Sequence, residues 1–175
     1  MLIEFTRRFS MAHRLRDKEH VKCAIPHGHN EYVQVRLSSC EDISLDGKSN
    51  MVLPFARLKK RWHYFVDEFL DHSLQLGHED PLINYFKVQE KERLSQILVT
   101  PGDPTTEVLC YVLACKCQAF LRDESLPFKL EELSIEETPT NKVIFNPNQQ
   151  VNLIPDCSDW WFFRADNSIN DFSHS

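Results

Sequence analysis

Cys23-Ala24-Ile25-Pro26-His27-Gly28-His29-Asn30 runs straight into Glu31-Tyr32-Val33-Gln34-Val35-Arg36-Leu37. Val33, Val35 and Leu37 share one parity, which predicts a half-buried strand from about Glu31 to Ser39. Alternate side chains on a strand face the same way, so His27 and His29 join that row if the strand extends back past Asn30. The glycine between them keeps the other face bare and allows close backbone approach. Upstream, Ile3, Phe5, Phe9, Met11 and His13 form a second row of one parity, broken only by Arg7. Two antiparallel strands side by side would bring His13, His27 and His29 together.

Three imidazoles with an open fourth position is the ligand set of a catalytic zinc site. HxH pairs also arise by chance in a chain with eight histidines, and it is His13 on the same face that makes Zn2+ the expected cofactor. Cys23 has two readings. As a thiolate favoured by the metal and by Lys22, it is a nucleophile or proton acceptor. As a fourth ligand it would close the site and make it structural.

The chain has 175 residues, long enough to bury a core without staples, and its 42% apolar and 26% charged content is that of a globular domain. The net charge of −6 argues against a nucleic-acid partner. No apolar run reaches the ~18 residues of a membrane span, and Met1-Leu2-Ile3-Glu4-Phe5 does not begin a secretory signal. The six cysteines have no zinc-knuckle spacing and read as free thiols, so a cytoplasmic location and no membrane partner are expected.

Beyond Ser39, the pattern predicts an extended Met51–Phe55, then a helix from about Ala56 to Leu70 with Leu58, Trp62, Phe65 and Phe69 on one stripe. Lys87 to Arg93 reads as a solvated insertion and Ser95 to Val99 as a short strand. A turn at Pro101–Pro104 precedes a second helix from about Thr105 to Leu121. Lys129–Thr138 and Lys142–Phe145 read as a last strand pair. The fold class is therefore α+β, with strands and helices in the order ββααββ over residues 1–145. Residues 146–175 form an aromatic and acidic extension. Its Trp160-Trp161-Phe162-Phe163 block is expected to dock on the domain or a partner subunit, and Asn167–Ser175 to be disordered.

Other residues can carry chemistry. Asp71-His72 pairs a carboxylate with an imidazole, the makings of a proton shuttle near neutral pH, although the dipeptide also suits a plain helix end. Thr105, Thr106 and Glu107 sit at a helix start, where hydroxyls and free N–H groups are available, and local pattern alone favours simple capping. Glu137 ends a strand, where a carboxylate can take two parallel hydrogen bonds from a guanidine-like ring edge or remain solvated. His20, His63, His78 and His174 have no such context and read as surface or loop residues.

These pieces resemble the 6-pyruvoyl-tetrahydropterin synthase and 6-carboxy-tetrahydropterin synthase family. The resemblance covers about Ile3 to Phe145. It rests on Phe9-Ser10-Met11-Ala12-His13-Arg14-Leu15, Cys23…His27-Gly28-His29-Asn30, Asp71-His72, Pro104-Thr105-Thr106-Glu107 and Glu137-Thr138, all in matching order. It implies the tunnelling fold: a four-stranded antiparallel sheet with two helices on one face. Three subunits close their sheets into a barrel, and the homo-oligomer is a trimer or hexamer with active sites between subunits. It implies zinc on His13, His27 and His29, catalysis by Cys23 with Asp71 and His72, and a pterin held by Glu137 among Thr105, Thr106 and Glu107.

The implied substrate is 7,8-dihydroneopterin triphosphate. The three residues between Cys23 and His27 are similar to the carboxy-forming branch, a carbon–carbon lyase of queuosine-type deazapurine synthesis that releases acetaldehyde and triphosphate. A pyruvoyl-forming synthase is the alternative within the family. A structural-zinc assembly protein, suggested by the WWFF block, is the alternative outside it. The chain departs from the family pattern at Pro54, in a longer segment between His72 and Pro104, and in the extension from Asn146.

Overall fold

Strand β1 (Leu2–His13) pairs antiparallel with β2 (His27–Ser39), with Phe5 opposite Val35, Phe9 opposite Glu31 and His13 opposite His27. This computed structural model describes residues 1–16, 21–40, 42, 45–151 and 157–172. His20 and His174 lie outside the described residues. The expected parity holds: Phe5, Phe9, Met11 and His13 are buried from β1, and Val33, Val35 and Leu37 from β2. Arg7, the exception in the first row, reaches across to a bidentate pair with Asp67 at 2.6 and 2.7 Å.

Strands β5 (Phe128–Thr138) and β6 (Asn141–Phe145) extend the sheet beyond β2, all antiparallel. On the other side the sheet continues past the expected four strands. Strands β3 (Ser73–Gly77) and β4 (Ile97–Thr100) join in parallel, giving the order β4-β3-β1-β2-β5-β6. The local pattern does not reveal β3, because Ser73 and Gln75 put polar residues at its inward positions. Both side chains are nonetheless buried, on the face shared with Met11 and His13.

The first helix differs from the expected continuous Ala56–Leu70. It is broken into α1 (Phe55–Leu58), α2 (Lys60–Phe65) and one wide π turn, Val66–Leu70, closed by the Asp71 N–H donating to the Val66 carbonyl at 2.8 Å. Val66 and Leu70, at the two ends of that turn, are fully buried, whereas Phe69 packs against the core half-buried. The segment after His72 forms α3 (Pro81–Gln89) and a short 3-10 turn, Lys91–Gln96. Asp80 caps α3 by accepting from Leu82 N at 2.8 Å, and Pro81 fits the first helical position. Helix α3 covers Leu76, Ile97 and Val99 on the sheet face away from the other helices, forming a second small core. Helix α4 (Thr106–Asp123), capped by Thr105, supplies the largest share of the main core of any one element, including buried free thiols at Cys110, Cys115 and Cys117.

The extension does not match the expected disorder of Asn167–Ser175. Ile169 and Asn170 are buried, and only 173–175 of that stretch lie outside the described residues. Trp161 and Phe162 are fully buried in the chain's own core. The Ile169 carbonyl accepts from Val99 N at 3.0 Å, and the Asn170 amide donates to the Ile97 carbonyl at 2.7 Å, so the segment covers the outer edge of β4. An unpaired strand edge is a liability, and here the chain itself closes it.

Lys116, on α4, holds this segment in place. Its ammonium is fully buried and donates to the carbonyls of Trp161 (2.7 Å), Arg164 (3.0 Å) and Asp166 (2.8 Å). Burial lowers its pKa to about 8, against the opposing pull of Asp166. Lys116→Met should destabilise the protein by about 3 kcal/mol, since it removes a donor from three carbonyls, of which that of Trp161 keeps another, the Arg164 N–H. The unfolded lysine keeps its proton up to 10.5, whereas the folded one releases it near 8. The unfolded chain therefore binds more protons in that window, and raising the pH through it favours the fold. Melting curves should show the wild type gaining on Lys116→Met between pH 8 and 10. An unchanged midpoint in the variant would show that the lysine latches nothing.

Candidate active site

His13 closes the inward row of β1, and His27 and His29 open that of β2. The ring centroids lie 4.6 Å (His13–His27), 5.3 Å (His13–His29) and 5.1 Å (His27–His29) apart. One ligand nitrogen from each ring falls within 4.8 Å of the others, and this is the group that can hold a metal among the described residues. Gly28 lies opposite Ala12 between the two β2 imidazoles, where a Cβ would meet the Met11 carbonyl oxygen at 3.0 Å. Its smallness serves the close approach of the two strands.

The rings are preset for a cation. His13 Nδ1 lies 3.0 Å from the Pro104 carbonyl and His27 Nδ1 3.0 Å from the Ile25 carbonyl. Carbonyls only accept, so each Nδ1 carries the proton and each Nε2 keeps its lone pair. Those two Nε2 atoms face each other at 3.2 Å with no proton to share, an arrangement that a positive ion relieves. Burial, then the neighbouring His27, lowers the pKa of His13, which keeps it neutral and ready to ligate.

The triad opens on a cleft of about 780 Å³, which Cys23, Thr105, Thr106, Glu107 and Glu137 also line. Cys23 sits in a 3-10 turn, Val21–Ala24, and its sulfur lies outside the metal-holding group. Thr105 caps α4, accepting from Val108 N, and the next residue, Thr106, donates its hydroxyl to Glu137 at 2.6 Å. The cleft thus has an imidazole end with a thiol beside it and a carboxylate end.

Asp71 and His72 are not in this cleft. His72 lines a separate groove with Ser10, Met11, Ala12, Gly28, His29, Asn30 and Ser73; Ser10, Ala12, Gly28 and Asn30 have the parity opposite to the histidine ligands, while His29 borders both this groove and the cleft. Its side chain is 80% exposed, and it leaves the π turn with φ of +63°, an unusual conformation for a non-glycine residue. The two residues do form a pair, His72 Nδ1 to Asp71 Oδ2 at 2.7 Å, with Asp71 Oδ1 accepting from Ser10 N at 2.6 Å. Burial works to raise the Asp71 carboxyl, but the Ser10 N–H and His72 outweigh it and hold it below the ordinary carboxylate range.

Two features escape sequence reading. The loop 101–105 orients His13 through the Pro104 carbonyl while its Thr105 caps α4. It packs so closely on Gly77 that a Cβ there would collide with the Gly102 carbonyl oxygen. The other is Glu31, 2% exposed, with its Oε2 buried and unpartnered among the described residues. Burial, then the charge of Glu137, pushes its pKa up to about 8. Parity gives it away in retrospect, since Glu31 lies in the row of Val33, Val35 and Leu37.

The sequence family described as 6-pyruvoyl tetrahydropterin synthase matches residues 2–148. The chain belongs to that family. Among solved structures it is similar to 6-pyruvoyl tetrahydropterin synthase from Caenorhabditis elegans, at 25% identity and a TM-score of 0.55, over 83% of this chain and 94% of that one. An uncharacterized protein from Wolinella succinogenes aligns with a TM-score of 0.60 at 20% identity, covering 84% of this chain and 99% of that one. The Plasmodium vivax 6-pyruvoyl tetrahydropterin synthase aligns with a TM-score of 0.55 at 19% identity, over 83% and 99% of the two chains. No curated protein sequence matches the chain. The fold is the tunnelling fold expected from the resemblance, and the protein is a tetrahydropterin synthase-like lyase. The family match stops at residue 148, so β1–β6 and α4 lie within it and the latched segment 157–172 lies outside.

His13→Ala or His27→Ala should abolish tight binding of a divalent ion at the triad, as measured with zinc as the probe in titration against a chelator. Gly77→Ala, which replaces no ligand, should weaken binding of that probe about tenfold by displacing the loop that orients His13. Unchanged affinity in a folded Gly77→Ala protein would show that the loop does not set the site.

Proposed function

We propose that this protein is a zinc-dependent lyase that converts 7,8-dihydroneopterin triphosphate and water to 6-carboxy-5,6,7,8-tetrahydropterin, acetaldehyde and triphosphate. The observation that carries the reading is the shared cleft: three convergent imidazoles, a thiol outside their ligand group, and a hydroxyl-bound carboxylate at the far end. The short spacing from Cys23 to His27 supports the carboxy-forming reaction over the pyruvoyl-forming one. The donor set suits zinc, with His13, His27 and His29 as its ligands. When bound, the ion supplies Lewis-acid stabilisation of negative charge on substrate oxygen.

The chain's own groups do the rest. Glu137, its Oε1 already tied to Thr106, accepts from the amino group and neighbouring ring N–H of the pterin. Cys23 takes a proton from the substrate side chain as its thiolate. Thr105, Thr106 and Glu107 form the wall on the helix side. His72, oriented by Asp71, is a second proton carrier. It lies on the other sheet face, so it serves the cleft of a second copy, which requires a homo-oligomer with sites between subunits. This reading also gives the Asp71–His72 geometry a purpose, because an exposed, preorganised pair is what a neighbouring cleft would need.

The test is a product profile. Zinc-loaded protein incubated with dihydroneopterin triphosphate should release acetaldehyde and a carboxylated tetrahydropterin, identified by mass. A pyruvoyl product would move the protein to the other branch of the family, and no turnover would end the reading. Cys23→Ala should lose at least a thousandfold in kcat while keeping about one zinc per chain. Mixing Cys23→Ala with His72→Ala chains should restore part of the activity if sites are shared between copies.

A further inference from the structure

Glu31 sits at a telling place. The ladder between β2 and β5 runs to the pair Tyr32↔Glu136, and the next residues on those strands are Glu31 and Glu137. Along β2, Glu31 follows His29 on the same face. His29 and Glu137 both line the cleft; Glu31, their neighbour along β2 and across to β5, is buried behind that lining and is not itself part of it. It is 2% exposed, and its Oε2 has no donor among the described residues. A buried carboxyl oxygen without a partner is costly, and such an atom calls for an explanation.

The proposed ligand has a matching deficit. Glu137 can take one amino hydrogen and the adjacent ring N–H of a 2-amino heterocycle, which leaves the second amino hydrogen without an acceptor. We infer that Glu31 is a specificity-determining residue of this cleft, whose buried oxygen accepts that second amino hydrogen when the ring is bound. The inference rests on the pterin reading above and extends it to a residue with no assigned role. A carboxyl oxygen accepts in either protonation state, so the contact does not depend on the charge of Glu31. The pocket would then reject a ring bearing oxygen at that position, because two oxygen atoms would be brought together.

Two probes separate the possibilities: neopterin, with the 2-amino group, and the 2-oxo ring of lumazine. Binding to the zinc-loaded protein is read by ligand fluorescence, with zinc content and melting temperature measured on each sample. Glu31→Gln, which keeps an acceptor oxygen, should bind neopterin within about threefold of wild type. Glu31→Leu should bind it about tenfold more weakly or worse, with zinc still near one per chain and lumazine binding no weaker. Glu31→Met, unbranched and flexible, provides the same reading if the leucine variant does not fold. Wild-type affinity for neopterin in a folded Leu or Met variant overturns the inference and leaves the pterin reading intact. Failure of the wild type to bind neopterin or to turn over dihydroneopterin triphosphate removes both.

Discussion

The register between β1 and β2 is the constraint on which the rest depends. Because side chains alternate, a slip of one residue would send His13 to the face opposite His27 and His29. The row of Phe5, Phe9 and Met11 against Val33, Val35 and Leu37 blocks that slip, since it would turn the core outward. Packing far from the site thereby sets the geometry of the imidazoles. The Pro104 and Ile25 carbonyls then fix ring orientation, which packing alone cannot do.

Much of this was legible in the sequence because it rests on short-range rules. Period-two alternation locates β1, β2 and β5, and the Thr105 cap locates α4. Strand β3 was illegible because its inward positions hold Ser73 and Gln75, whose burial is imposed by neighbours and by no local pattern. The π turn was illegible for a similar reason. One added residue in a helix leaves composition unchanged and shows only in which side chains end up inside.

For the site, residue types and parity pointed to the triad, and the family resemblance pointed to Glu137 and the rest. The separation of His72 from the cleft was not readable, because it depends on the strand parity adopted after the π turn. Glu31 could have been flagged by parity, yet a carboxylate in an inward row looks like an exception until its surroundings are known. The orienting carbonyl of Pro104 comes from a backbone group, about which side-chain patterns say nothing.

The acceptors around Lys116 are nearly all main-chain oxygens, from Trp161, Arg164 and Asp166. Every amino acid carries a carbonyl, so such a clasp recognises a path of the chain and is indifferent to most of the letters along it. Side chains that point away from the lysine are therefore at liberty to drift over evolutionary time without undoing the fastening. Such an appendage can look unrelated from one relative to the next while one amine still gathers its turns.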